Sequence, residues 1–238
     1  MQFLKKQAEK FDKKAEKILI LIVLVSFLVG YFIGKNNSLD SLYGFFIAGI
    51  FLGIVSMLLV LQRDKFVKKS RDYSKGFQGE KYFKEFLDQN KSFCGFEYID
   101  DIKLEYGNAD FLIVNDNGVF CIEVKNTTGK ITYDVKKDSL LCNFKLFDKD
   151  YLKQVKRNSV FIRNIIKEKI NEFQYVHPVL VFSGLGSNLE TGEKIGDVYV
   201  LRPEELLILL KQNINQKLNK ELQGKIIKLM REYKESKR

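Results

Sequence analysis

Two kinds of hydrophobic pattern follow one another along this chain. Residues 18–34, "ILILIVLVSFLVGYFIG", and 42–61, "LYGFFIAGIFLGIVSMLLVL", are apolar runs with no charged residue, each long enough to cross hydrocarbon as a helix. Past residue 70 the runs shorten and become periodic. Phe83, Phe86 and Leu87 recur at helical spacing, which predicts an amphipathic helix over 78–89, entered through Gly76 and Gly79. Strands are expected at 97–104, 109–115 and 119–125, the last two joined by "NDNG", a hairpin signal. A shorter strand around "KITYDV" follows. Leu152, Val155, Val160, Ile162 and Ile166 give a helix over 149–170 its apolar face, and "HPVLVFS" and "DVYVLRP" read as further strands, the second ending at Pro203. Ile214, Leu218, Leu222, Ile226, Leu229 and Tyr233 are spaced for one long amphipathic helix at the end of the chain. Strands bracketed by helices give the fold class: α/β (α+β), a mixed central sheet flanked by helices, preceded by a transmembrane helical hairpin.

The connection between the apolar runs, "KNNSLDS", is short and polar, so both ends of the hairpin emerge on one side. Lys and Arg decide which. Six stand before the first run (Lys5, Lys6, Lys10, Lys13, Lys14, Lys17) and six after the second (Arg63, Lys65, Lys68, Lys69, Arg71, Lys75), against Lys35 alone in the connection. The expected location is therefore the cell membrane, multi-pass, with both termini and the soluble part cytoplasmic. The chain divides into a basic N-terminal segment (1–17), the hairpin (18–61, spans 18–34 and 42–61), a basic juxtamembrane linker (62–75), a soluble domain (76–202) and C-terminal basic amphipathic helices (203–238). A cleaved signal peptide is the bland rival; no small-x-small cleavage site follows Gly34, and a second run comes at once. Buried core helices are the other rival, but helices apolar on all sides are unusual outside membranes. Gly30 and Gly44 permit close helix contact, and Gly49 and Gly53, at small-xxx-small spacing, offer a homodimer contact.

Charge narrows the partners. Among 238 residues, 40 Lys+Arg face 30 Asp+Glu, a formal net charge of +10, which suits nucleic acid or acidic lipid. Residues 211–238 alone hold nine Lys+Arg against three Glu, so the last helix suits either. The single His177 leaves no Ser-His, Cys-His or multi-histidine arrangement, and Cys94, Cys121 and Cys142 lack the pairing of a disulfide framework or zinc site. "GLGS" at 184–187 fits no phosphate loop and reads as a flexible turn.

The informative chemistry lies in "NADFLIVNDNGVFCIEVKN", where Asp110, Glu123 and Lys125 interrupt runs that otherwise ask for Val or Ile. Glu123 and Lys125 share a face because side chains alternate along a strand. A two-residue loop, Asp116–Asn117 or Asn117–Gly118, pairs position 110 with 123 or 125 and puts all three on that face; a three-residue loop pairs 110 with 124 and separates the acids. Close carboxylates in an apolar setting repel each other and lose hydration, and a divalent cation answers both costs. Hard oxygen ligands suit Mg²⁺, with Mn²⁺ as the alternative. The plainer reading is a same-face ion pair on an edge strand, although "GVFCIEVKN" is too apolar for an exposed edge.

"GFQGEKYFKEFL", then "NADFLIVNDNGVFCIEVKNTTGKI", then "YLKQVKRN" resembles the nuclease-related domain (NERD), a branch of the PD-(D/E)XK nuclease superfamily, over about Gly76 to Phe182. The resemblance implies a restriction-endonuclease-like core in which Asp110 and Glu123 bind Mg²⁺, Lys125 assists the nucleophilic water, Glu80 supports the site and Gln154 contacts substrate or metal water. Ala109 replaces the larger aliphatic residue common before the aspartate, and Phe144 stands near where many members carry Trp. Glu80 has a bland alternative as a first-turn acid complementing the helix dipole, and Gln154 as an exposed helical residue. Asn126 reads as a strand-end turn residue. Lys153, Lys156 and Arg157, with Arg163, are candidates to track a phosphate backbone. The expected function is a membrane-anchored, Mg²⁺-dependent nuclease hydrolysing phosphodiester bonds, with DNA ahead of RNA. The alternative is an inactive nucleic-acid-binding or scaffold module tethered to the cytoplasmic membrane face.

Overall fold

The structure, a computed structural model, describes residues 2–35, 41–105, 107–212 and 217–237. They fall into two units, Gln2–Phe77 and Gln78–Arg238.

The first unit is built from helix α1 (Gln2–Lys35) and the leading part of helix α2 (Ser41–Cys94); most of the expected polar connection, residues 36–40, lies outside the described residues. The basic halves of the two helices pack on each other. Ala8 and Ala15 are buried, as is Ser70. Phe11 stacks on Phe66 and Tyr73 with ring centroids 5.9 and 5.6 Å apart. Residues 62–75, expected as a linker, are helix instead. They contain neither Pro nor Gly, and Phe66, Ser70 and Tyr73 recur at helical spacing on the stripe that meets α1.

Both apolar runs are helical, and many of their large side chains are exposed, among them Val23 (60%), Phe27 (74%) and Met57 (65%). No helix among the described residues is long and apolar enough to cross a membrane. The expected spans include positions 29–30, 32–34, 42–48 and 51–52, whose side chains lie outside the described set. A methyl group placed on Gly49 or Gly53 would meet nothing within 4 Å, so neither is a close-approach point within this chain.

The second unit is a sheet covered on both faces. Strands β1 (Glu97–Leu104), β2 (Gly107–Asn115) and β3 (Gly118–Lys125) form an antiparallel meander. Next come β4 (Gly129–Asp134), β5 (Ser139–Cys142), β6 (Lys145–Leu146) and helix α3 (Tyr151–Ile170). Strands β7 (Val176–Phe182), β8 (Ser187–Glu190), β9 (Lys194–Ile195) and β10 (Val198–Leu201) precede helices α4 (Pro203–Lys211) and α5 (Lys220–Ser236). The main sheet has the order β1-β2-β3-β7-β10-β9, and β6-β5-β4-β8 form a second, four-stranded sheet. Strand β3 runs parallel to β7, and β7 parallel to β10, so the main sheet is mixed.

Helices α3 and α5 cover one face through Leu152, Val155, Ile162, Ile166, Ile226 and Met230. The end of α2 and α4 cover the other through Phe83, Leu87, Leu206 and Leu210. Double coverage explains why β3 is buried along almost its whole length and reads as an apolar run.

Three expectations differ from the fold. The helix expected to start near 78 is the end of α2, which runs unbroken through Gly76 and Gly79. Val160 is 38% exposed; the buried stripe of α3 passes through Ser159 instead, at the three- and four-residue steps of 152, 155, 159, 162 and 166. The long C-terminal helix is shorter than its spacing predicts: α5 starts only at Lys220, Leu218 precedes it, its N-cap Asn219 accepts from the Leu222 N–H at 2.8 Å, and Ile214 lies outside the described residues.

Candidate active site

The hairpin loop decides which acids meet. Asn115 pairs with Gly118 and Phe111 with Ile122, so the loop is Asp116–Asn117 and position 110 lies opposite 123. The loop is fixed by Asn115, whose Oδ1 accepts the Asn117 N–H at 2.9 Å. Pairing of β2 with β3 ends at Phe111 and Ile122. Beyond that point Asp110 takes over the ladder's role: its Oδ2 accepts the Val124 N–H at 2.7 Å. Asp110, Glu123 and Lys125 thus share the face of the sheet that α3 covers, at the carboxyl end of β3.

Glu123 is only 2% exposed. Its Oε1 receives Lys125 Nζ at 2.5 Å and Gln154 Nε2 at 2.6 Å. Its Oε2 is buried with no hydrogen-bond partner, an orphaned acceptor whose desolvation is uncompensated. Gln154 reaches it because α3 begins just beyond: Asp150 caps the helix, accepting the Lys153 N–H at 3.0 Å. The Lys125 ammonium also lies 4.5 Å from the Tyr151 ring centroid.

Electrostatics at this point are strained. Burial, reinforced by the charges of Glu123 and Glu80, pushes the Asp110 carboxyl well above its ordinary range, against the pull of Lys125 and the Val124 N–H. Burial likewise raises Glu80, with the Asp101 charge adding to it. For Lys125, burial acts downward, yet Glu123 and Asp110 outweigh it and hold the ammonium above the usual lysine range. Lys125 thus faces several crowded acids.

The donor set fits a divalent metal with few protein ligands. Among the described residues, no group of three or more His, Cys, Asp or Glu side chains stands ready to enclose a metal. Mg²⁺ needs no cage: it binds through one or two carboxylates and keeps waters and substrate oxygens for the rest. The orphaned Glu123 Oε2 and the raised Asp110 carboxyl are the pair such an ion would relieve.

The basic candidates have their own partners or neighbours. Lys153 pairs with Asp150 at 3.0 Å and Lys156 with Asp197 at 2.8 Å, so both exposed ammoniums are engaged by acids of the same unit. Arg157 faces the start of β2, its guanidinium 4.0 Å from where a Cβ on Gly107 would stand.

Sequence reasoning passed over three residues here, Tyr151, Asp101 and Ser183, and read a fourth, Asn126, only as a strand-end turn residue. Tyr151 had no signal beyond its place ahead of Gln154. Asp101, with φ 47°, lies across from Asp110, between the pairs Asp100–Phe111 and Ile102–Ala109; the doubled acid in "YIDDIKL" was a readable sign. Asn126 packs against α2 where a Cβ on Gly79 would come within 2.4 Å of its own Cβ, so it is a packing residue and not merely a strand end. Ser183, buried with an unpartnered hydroxyl, donates its N–H to the Lys125 carbonyl at 3.0 Å. "GLGS" is a packing point too: a Cβ on Gly184 would stand 2.2 Å from the Thr127 carbonyl oxygen.

Residues 75–183 match the family of the nuclease-related domain, NERD. A nuclease-related domain is thus found there, and Glu80, Asp110, Glu123, Lys125 and Gln154 all fall inside it. Comparison with curated proteins and with solved structures gives no match.

Proposed function

We propose that this chain is a metal-dependent nuclease that hydrolyses phosphodiester bonds, DNA ahead of RNA, and is anchored to a membrane through α1 and α2. The observation that carries the catalytic reading is Glu123: a buried carboxylate with one oxygen held by Lys125 and Gln154 and the other without a partner. Leaving such an oxygen dry costs about 1–3 kcal/mol or more. A site that binds nothing gains no return for it.

The geometry supports the following roles. Asp110 and Glu123 would hold Mg²⁺, with Mn²⁺ as a substitute. The bound ion supplies charge neutralisation at the scissile phosphate and lowers the pKa of an attacking water. Lys125, kept as an ammonium by its two acids, acts as a donor: it orients water and meets the charge that builds on the phosphoryl oxygens. Gln154 fixes the Glu123 carboxylate so that its free oxygen faces the ion. Glu80 adds negative charge at the edge of the site. Arg157 and the exposed Lys153 and Lys156 would meet backbone phosphates, the lysines exchanging Asp150 and Asp197 for substrate.

Membrane anchoring is supported by the apolar side chains exposed on both helices of the first unit, Phe27 and Met57 among them, which lipid would cover. Ser26 is compatible with that setting, its hydroxyl returned to the Ile22 carbonyl at 2.8 Å. The Lys and Arg flanking both runs favour a cytoplasmic side for the termini and the nuclease domain.

One observation favours a second reading, a nucleic-acid-binding or scaffold module without turnover: Glu123 Oε1 is already paired with the Lys125 ammonium at 2.5 Å, a pairing that stands without a metal. The test is cleavage. Full-length protein is incubated with plasmid, linear duplex, single-stranded DNA and RNA, in Mg²⁺, Mn²⁺ or EDTA, beside Glu123→Gln. Metal-dependent cleavage lost in the variant supports the nuclease. Tight binding without cleavage of any substrate supports the module.

A further inference from the structure

The second sheet presents an aromatic ring that the fold does not use. Leu141 pairs with Leu146 and Cys142 with Lys145, so β5 and β6 form a tight hairpin whose loop is Asn143–Phe144. Both loop residues have positive φ, 48° and 64°, a conformation costly for a bulky side chain. The loop is nonetheless pinned. Asn143 donates its N–H to the Lys130 carbonyl at 2.8 Å and accepts the Lys130 N–H on Oδ1 at 2.9 Å. Gly129, at φ 115°, lacks the Cβ that would stand 2.5 Å from Asn143 Nδ2. All this order serves to hold Phe144 outward, 78% exposed.

The segment that carries the ring is basic, and its two ends join elements of the candidate active site. Residues 129–149 carry five Lys against three Asp. Lys130 Nζ, which also pairs with Glu190 at 2.6 Å, lies 5.8 Å from the Phe144 centroid. Only residues 126–128 separate Lys125 from Gly129, so Lys130, to which Asn143 is bonded, is within about 18 Å of Lys125 by chain length. On the return path, Phe147 stacks on Tyr151 at 5.2 Å, and Tyr151 is the ring beneath Lys125.

We propose that the β6-β5-β4-β8 sheet is a base-stacking arm and that Phe144 stacks on an unpaired base of single-stranded nucleic acid leading to the Asp110/Glu123 site. The proposal rests on the nuclease reading and specifies its substrate class. An exposed ring with neighbouring ammoniums is the combination that single-strand binders use, the ring taking a base face and the lysines the backbone. A closed duplex offers no base face to a protruding ring. Lipid would also accept an aromatic among lysines, but segment 129–149 is joined at its two ends to β3 and α3, the elements that carry Glu123, Lys125 and Gln154.

The test is binding without turnover. Full-length protein in detergent and EDTA is titrated into a labelled single-stranded oligonucleotide, the matching duplex and anionic vesicles, as wild type, Phe144→Ala and Phe144→Tyr. The expected result is single-strand binding weakened about tenfold in Phe144→Ala, retained in Phe144→Tyr, and duplex binding unchanged. Unchanged single-strand affinity in Phe144→Ala, an equal loss for strand and duplex, or a loss confined to vesicles overturns it. Because EDTA removes cleavage from the readout, a protein that binds through Phe144 and never cleaves sinks only the catalytic reading. One that cleaves but binds independently of Phe144 sinks only the arm.

Discussion

Gln154 donates to the same Glu123 oxygen that Lys125 pairs with, at 2.6 Å, so one carboxylate oxygen is saturated while its twin stays empty. Replacing Gln154 with Ala removes a hydrogen bond to a buried charge, about 1.5–3 kcal/mol. Expected is a ten- to hundredfold fall in single-turnover cleavage at saturating substrate, with little change in nucleic-acid affinity. A change confined to affinity would place Gln154 on substrate instead.

Asp110 gives a pH signature whose sign is fixed. Burial and the charges of Glu123 and Glu80 raise its carboxyl above 3.8 in the folded chain, so between 3.8 and the folded value the native state binds more protons than the unfolded one. Its contribution is therefore lost as pH rises through that window. His177 acts oppositely: burial, then Lys194, lowers it to about 4, so its contribution grows as pH rises from about 4 toward 6.5. Denaturant melts of Asp110→Asn and wild type across pH 4–8 isolate the Asp110 part. The variant is expected to gain relative stability as pH rises, and a constant difference would deny the crowding.

Asp100 is the counterweight. Burial opposes its ionisation, but Lys234 and Lys84, at 2.6 and 2.5 Å, lower its carboxyl to about 2. Its stabilisation is present above the ordinary 3.8 and is lost as pH falls toward 2. Asp100→Asn is expected to cost on the order of 2 kcal/mol at pH 7 and nothing at pH 2, measured by urea unfolding. Because the two lysines sit on α2 and α5, the loss tests whether this clamp ties both helices to β1.

Gly79 and Gly184 are space-limited. Gly184→Ala drives a Cβ into the Thr127 carbonyl, and Gly79→Ala into Asn126. Overpacking costs about 1–3 kcal/mol. The larger loss of melting temperature is expected for Gly184→Ala, since a backbone carbonyl yields less readily than a side chain.

How much of this was readable in the sequence depends on the range of the forces involved. The convergence of Asp110, Glu123 and Lys125 follows from strand alternation and from the turn chemistry of "NDNG", both local. The four-stranded sheet was seen only as "KITYDV", because its strands are short and β4 finds β8 across about fifty residues. The unbroken α2 escaped because Gly76 and Gly79 read as punctuation, whereas Gly79 answers a distant close approach to Asn126. Tyr151 and Ser183 carry no pattern at all; tertiary packing alone brings them to Lys125.

Titration of full-length protein with Mn²⁺, followed by calorimetry at several pH values, tests most directly whether Asp110 and Glu123 hold a divalent ion. One site is expected whose affinity rises with pH, as the ion competes with protons for the raised Asp110 carboxyl, and whose binding disappears in Glu123→Gln. Equal Mn²⁺ affinity in wild type and Glu123→Gln would contradict it.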